Sequence, residues 1–301
     1  MTNQQKLVAD AYLKEMEEIL SFAKLSDNTK QSYHTYTIPF MEYCFDILKK
    51  DPKDACEKDV RDFLMLIQEQ RNLKDRTVNL AISTIHFLFN AVLNIPWNSY
   101  KVPFRKFDEF IPFVPSVQEV QSFISSIKDP ELKTIITILY STGLRVSEAC
   151  SLLCGDISKT HMRIHVSPTK NRKERFVEMP DKCYDQIVSY FYSFPSDVRR
   201  SFSTQSWLFP QRRSLSLPIY ENFIHGNIPK IEKLLGWPHR LTSHSFRRAF
   251  ATHNYMMKNL TLEEIQLALD HSSINTTRIY IRGGLISLRE HHPNAIDGMS
   301  F

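Results

Sequence analysis

Four prolines, Pro96, Pro103, Pro112 and Pro115, crowd the stretch between Ile95 and Ser116. A proline ring fixes φ, removes a backbone donor and pushes the preceding residue out of the helical region, so no helix can run through this stretch. On its N-terminal side the pattern is helical. Leu7 to Phe22, Asn28 to Leu48, Glu57 to Gln70 and Asp75 to Val92 each repeat apolar residues at three and four spacing. Asp27 or Asn28 precedes the second of these helices and Asp75 with Thr77 the fourth, as side-chain acceptors for orphan amides. A chain of 301 residues exceeds the usual length of one compact core. The expected organisation is a helical domain over residues 1–100, an extended linker over 101–115 and a second domain over 116–301.

The second domain mixes periods. Val117 to Ser126 and Pro130 to Ser141 read as helices, Gly143 supplies a stop, and a further helix is expected over Val146 to Leu153 with Arg145 at the junction. Between His161 and Pro180 the period changes to two. Met162, Ile164 and Val166 on one side and Phe176, Val177 and Met179 on the other flank a basic tip, Pro168 to Lys173, which predicts a hairpin. Helices return over Cys183 to Tyr192, Ile219 to Leu235, Ser243 to Lys258 and Leu262 to Leu269, the last opened by a Thr261 to Glu264 capping box. The fold class expected is mainly α with a small antiparallel β-sheet.

Hydrophobic residues at 42% with 24% charged, and only 7 glycines, describe a soluble, helix-rich globular protein. The start is polar, and the longest apolar run, Thr134 to Tyr140, is far below spanning length, so a cytoplasmic protein with no membrane contact is expected. Five scattered cysteines, Cys44, Cys56, Cys150, Cys154 and Cys183, predict reduced thiols. Cys150, Cys154, His161 and His165 imitate a zinc ligand set, but the cysteines fall in an apolar helix and the histidines in a strand, and neither metal nor cofactor is expected. Residues 1–100 hold 12 basic and 14 acidic side chains, against 26 and 19 in the remainder of the chain's 38 and 33. A basic half beside a near-neutral one suits a nucleic-acid partner and equally a solvated basic surface.

Four places in the second domain combine side chains suited to phosphate with positions that expose them. Arg145, after the Gly143 turn, can present a planar fork to phosphate oxygens with Glu148 holding it; a surface ion pair of the two is the plainer alternative. The hairpin tip carries Lys170, Arg172 and Lys173, followed by Arg175, and either reaches into a DNA groove or is a solvated charged turn. His244 and Arg247 share one face at a helix start. Finally, the polar stretch from His271 leads through a short turn to Tyr280, which alone reads as a packing residue with a wet hydroxyl.

The order Arg145, Lys170, His244-x-x-Arg247, His271, Tyr280 resembles the active-site signature of the tyrosine recombinases, which include Xer-type resolvases and phage integrases. Surrounding words match as well: Thr142-Gly-Leu-Arg-Val-Ser-Glu148, Lys173-Glu-Arg-Phe-Val177, His244-Ser-Phe-Arg247 with Phe250-Ala-Thr-His253, Trp207-Leu-Phe-Pro210, and His271-Ser-Ser-Ile-Asn-Thr-Thr277. In the first domain, Leu25 to Tyr33 and Asp75 to Leu80 are similar to the family's SAM-like core-binding domain. Three positions depart from the family's pattern: Arg248 stands for a frequent His, Asp270 for the Gly before the histidine, and Thr169 for the Gly before the lysine. A carboxylate at Asp270 is expected to raise the proton affinity of His271 or disfavour a nearby phosphate.

The resemblance implies a two-domain, C-shaped DNA clamp that cuts and rejoins strands through a covalent 3′-phosphotyrosyl link, without ATP or metal. It assigns the nucleophile to Tyr280, the phosphate clamp to Arg145 and Arg247 with a hydrogen bond from His271, proton removal to His244 as the better candidate with the two histidine roles open to sharing, leaving-group protonation to Lys170 and an orienting role to Glu148. Lys170, Arg172, Lys173 and Arg175 are expected to bind DNA. The partners implied are double-stranded DNA and three further copies, as a homotetramer holding two duplexes, with room for accessory DNA-bending proteins. A silent DNA-binding module and a type IB topoisomerase-like nicking enzyme are the competing readings.

Overall fold

The computed structural model describes residues 1–107, 113–167, 174–238 and 241–287. The chain divides into two compact units, Met1–Glu109 and Phe110–Phe301.

The first unit is built from α1 (Asn3–Phe22), α2 (Asp27–Glu42), α3 (Glu57–Arg71) and α4 (Asp75–Phe87). Ser26, rather than Asp27 or Asn28, accepts the orphan amide of Thr29 and caps α2, which places the Asp27 carboxylate in the first turn, where the helix dipole favours it. Lys74 likewise precedes α4 and Asp75 is its first residue. α2 and α4 each widen into a π-helical turn, Tyr43–Ile47 and Leu88–Val92. Met16, Leu20, Phe40, Val78, Ile85 and Leu88 are fully buried between the helices, and Phe40 meets Phe63 edge-on with ring centroids 5.2 Å apart.

The segment expected as an extended linker is pinned at its start. Val102 is buried in the first core, Arg61 donates to the carbonyl of Lys101 at 2.8 Å, and Asn79 both donates to and accepts from the backbone of Arg105. Pro96 and Pro103 prevent a helix there, and side chains of α3 and α4 satisfy the backbone instead.

The second unit centres on α6 (Pro130–Thr142), whose Ile135, Ile136, Ile138 and Leu139 are completely buried. α5 (Val117–Ser126) precedes it, opened by a Ser116 and Glu119 capping box. α7 (Val146–Cys150) is shorter than the expected Val146 to Leu153. The chain straightens after Cys150 because Leu152 accepts from the amide of Leu208 at 2.8 Å and Cys154 donates to Ser206. Then β1 (Ile157–Ser158), β2 (Arg163–Val166) and β3 (Arg175–Glu178) form an antiparallel meander, with Ile164 opposite both Ile157 and Val177. The tip of the expected hairpin, with Lys170, Arg172 and Lys173, lies outside the described residues. His161 sits in the turn before β2, and the His165 ring is held between Asp156 and Glu174, 2.8 and 2.7 Å away. Among the described residues no group of three or more His, Cys, Asp or Glu is placed to hold a metal.

α8 (Asp181–Tyr192) and α9 (Ser196–Ser201) follow, then a small hairpin of β4 (Pro210–Gln211) and β5 (Ser214–Pro218). α10 (Glu221–Leu235), α11 (Ser243–Met256), α12 (Leu262–Leu269) and α13 (Ile274–Ser287) complete the unit. α11 runs through the interior, with Phe246, Ala249 and Ala251 fully buried. The expected fold class, mainly α with a small antiparallel sheet, is the one found. Among the described residues no helix is long and apolar enough to cross a membrane.

Candidate active site

Two helix ends and one helix start meet in the second unit. α6 ends on Gly143, whose φ of +69° lies in the left-handed region. A Cβ there would come within 2.6 Å of side-chain atoms of both Leu269 and Phe250, so glycine is required by backbone and by space. α12 ends the same way on Asp270, φ 49°, where the family's usual glycine would be relaxed and aspartate is tolerated.

Arg247, in the first turns of α11, joins these ends. Its side chain is 1% exposed, and its guanidinium donates to the carbonyl of Gly143 at 2.5 Å and to the carbonyl of Leu269. The C-terminal ends of two helices, each with partial negative charge, thereby compensate a buried cation. Burial, then the charge of Arg145, lowers the Arg247 guanidinium to about 10, which leaves it protonated at neutral pH.

Arg145 lies at the N-cap of α7. Its backbone amide donates to Glu148 Oε2 at 2.8 Å and its Nη1 to Oε1 at 3.1 Å, while Nη2 reaches the carbonyl of Asp270 at 3.3 Å. The Asp270 carboxylate, expected to act on His271, stands 3.9 Å from Arg145 Nη1. Burial pushes the Glu148 carboxyl up, but hydrogen bonds from Arg175 and the Arg145 amide, with both arginine charges, more than reverse this and bring it down to about 2. Glu148 is therefore ionised across the physiological range.

The side chain of Arg175, expected to bind DNA, turns inward and is only 12% exposed, with Nη1 and Nη2 donating to the two oxygens of Glu148 at 3.0 and 2.9 Å. Sequence reading missed this arrangement, although strict alternation from the buried Val177 puts Arg175 on the inner face of β3.

His244 stays exposed on one side of the α11 start. The atoms packed around its ring, followed by the charges of Arg247, Arg248, Arg145 and His225, hold its pKa below the usual imidazole value. A neutral imidazole beside several cations can accept a proton at neutral pH. Arg248, one of the departures from family text, is half-buried. Nη2 donates to Ser245 at 3.1 Å, and among the described residues its buried Nε finds no hydrogen-bond partner.

Tyr280 is delivered by a helix, α13, and not by the short turn expected. The polar run Ser272 to Thr277 that suggests a loop starts this helix, with Ser273 accepting from Asn275 and Thr276. His271 Nδ1 lies 2.9 Å from the hydroxyl of the buried Thr277, and Gln266 holds the His271 backbone carbonyl at 3.0 Å. The His271 ring meets the Tyr280 ring edge-on, centroids 5.2 Å apart at 79°. Thr252 donates to the Tyr280 carbonyl at 3.2 Å, tying α13 to α11. Arg145, Glu148, Arg247, His271 and Tyr280 are thus linked through one set of contacts, with His244 among the same charges. Lys170 lies outside the described residues.

Residues 116–283 match the phage integrase family, and residues 12–99 match the family's N-terminal SAM-like domain. The tyrosine recombinase XerD of Shewanella oneidensis is 28% identical, over 94% of this chain and 96% of its own. The tyrosine recombinase XerA of Pyrococcus furiosus is 26% identical, over 91% of each chain. Among solved structures, the Tn1549 transposon integrase in complex with circular intermediate DNA is similar in fold, with a TM-score of 0.69 at 20% identity over 96% of this chain and 97% of that one. The chain belongs to the phage integrase, or tyrosine recombinase, family.

Proposed function

We propose that this chain is a site-specific DNA recombinase that breaks and rejoins strands through a covalent bond between Tyr280 and DNA. The observation that carries the reading is that Arg145 and Arg247, far apart in sequence, are held at the ends of α6 and α12, next to His271, whose ring meets that of Tyr280 on α13. Family membership and relatives named as recombinases support it.

Attack on a phosphodiester builds charge on the non-bridging oxygens, and pre-set donors that need no reorganisation stabilise it. Arg145 and Arg247 supply such donors and His271 a further hydrogen bond. Tyr280 becomes nucleophilic as its proton passes to neutral His244. The new O–P bond forms as the bond to the 5′ oxygen breaks, and Lys170 gives that oxygen its proton. The products are a 3′-phosphotyrosyl link and a free 5′ hydroxyl. Because the link preserves the phosphodiester's energy, a hydroxyl from another strand reverses the step with neither ATP nor metal.

Residues 1–100 act as the core-binding domain, 116–301 as the catalytic domain and 101–115 as the connection, and each domain binds duplex DNA. Arg172 and Lys173 contact DNA beside Lys170. Strand exchange requires four such sites, hence a homotetramer on two duplexes, in the cytoplasm, with accessory DNA-bending proteins where the site demands them. The test is end-labelled duplex from DNA flanking the gene, incubated with EDTA and no nucleotide. Label on the 3′-phosphate side retained on denatured protein, with a free 5′ hydroxyl on the other fragment, supports the proposal. Cleavage that needs a divalent cation, or a 5′-linked adduct, refutes it.

A further inference from the structure

Resting on the catalytic reading above, we propose that Arg175 is a positioning residue for cleavage, sharing the Glu148 carboxylate so that Arg145 stays oriented and positively charged toward the scissile phosphate. Each Glu148 oxygen accepts from both arginines. Oε1 takes Nη1 of Arg145 and Nη1 of Arg175, and Oε2 takes the Arg145 amide and Nη2 of Arg175. Among the described residues these four donors match the lone-pair capacity of one carboxylate.

The charge balance follows from this count. Arg145 and Glu148 alone are a neutral pair, and a neutral pair has little attraction for a phosphate. With Arg175 on the same carboxylate the trio carries one net positive charge, which offsets the Asp270 carboxylate 3.9 Å from Arg145 Nη1; without Arg175 the group would be net negative and repel a phosphate. Side-chain exposure is 2% for Glu148, 12% for Arg175 and 17% for Arg145, so the group meets solvent at Arg145 more than at its partners. Without Arg175, both carboxylate oxygens would turn to Arg145 and draw its fork away from the phosphate. Arg175 also donates from Nε to the carbonyl of Ala268 at 3.4 Å, in the last turn of α12, so the same side chain steadies the segment leading to His271. An inward fork spent on Glu148 and Ala268 is unlike a groove-reading arginine.

The test uses the full-length protein and a nicked duplex that traps the adduct, with single-turnover rates normalised to folded protein and DNA affinity measured across a salt series. For Arg175→Ala the expected result is a rate loss on the order of 100-fold, the size seen when one transition-state donor is lost. The slope of log affinity against log salt should stay unchanged, whereas losing one phosphate contact would flatten it by about 0.9. Arg175→Lys keeps the charge and the fold but cannot offer two parallel donors, and should remain on the order of 10-fold slow with wild-type binding. The decisive arm is Arg175→Ala combined with Glu148→Gln. Removing the carboxylate that now neutralises Arg145 should restore part of the rate, which a purely structural role would not do. A flattened salt slope, a wild-type rate in Arg175→Ala, or a double variant no faster than the single one each overturns the proposal while the wild type still forms adduct. No adduct from the wild type overturns the recombinase reading itself, and this proposal with it.

Discussion

Replacing Glu148 by glutamine should destabilise the second unit by about 3 kcal/mol at neutral pH. Its carboxyl sits at about 2 in the folded protein against a reference of 4.5, and each unit of difference is worth about 1.4 kcal/mol. The side chain is 2% exposed, so solvent does little to screen the interaction. The sign is that of a depressed acid: the contribution is fully present above 4.5 and is lost as pH falls toward 2, because the unfolded chain takes up the proton first. Glutamine keeps the shape but leaves Arg145 and Arg175 facing each other with no negative charge between them. Breaking a buried pair typically costs about 3–5 kcal/mol, in agreement. The assay is urea unfolding in a Trp97→Phe background, so that Trp207 and Trp237 report the second unit. With a slope of about 2 kcal/mol per molar urea, the midpoint should fall by about 1.5 M at pH 7. The gap between the two proteins should then close as pH is lowered from 4.5 to 2. A difference under about 1 kcal/mol at pH 7, or one that stays constant down to pH 2, would refute the account of this carboxylate.

Other substitutions probe the same cluster. Gly143→Ala must adopt a left-handed backbone and force Leu269 and Phe250 apart; it should cost roughly 2–4 kcal/mol by urea unfolding and slow adduct formation by shifting a carbonyl that holds Arg247, and an unchanged midpoint would deny the close approach. If His244 takes the Tyr280 proton, single-turnover cleavage should fall as pH drops through a midpoint below the usual imidazole value, since the protonated ring cannot accept. His244→Gln should lose that acid limb along with most of the rate, and a limb that survives the substitution assigns it to another group.

Much of this molecule was legible in its sequence because the signals were local. Helical spacing marks α1 to α4, and the Thr261 and Glu264 box opens α12 as expected. The side chains proposed for the site were chosen from the order of their motifs. Their partners could not be read that way, since Arg247 bonds to Gly143 and Leu269, and Arg145 to Asp270, through backbone carbonyls that only tertiary packing brings near. Ser272, Ser273, Asn275 and Thr276 suit a loop and a helix start equally, so Tyr280 looked like a turn residue when it stands on α13. The helix after Arg145 stops early because Leu152 and Leu153 pair with the chain around Trp207, a contact with no sequence signature. Arg175 was read with the basic tip by charge, where strand alternation pointed it inward.

The most direct test of the central claim compares wild type with Tyr280→Phe on a nicked duplex from the DNA flanking the gene, run on a denaturing gel. Tyr280 is partly buried against an apolar cluster that includes Phe250, Ile265 and Leu269 and against the His271 ring, and the loss of one hydroxyl should leave folding and DNA affinity unchanged. A denaturation-resistant protein–DNA adduct in the wild type that is absent in Tyr280→Phe is the result expected. An adduct of equal yield in the variant, or DNA binding by the wild type with no adduct on any flanking site, would contradict it.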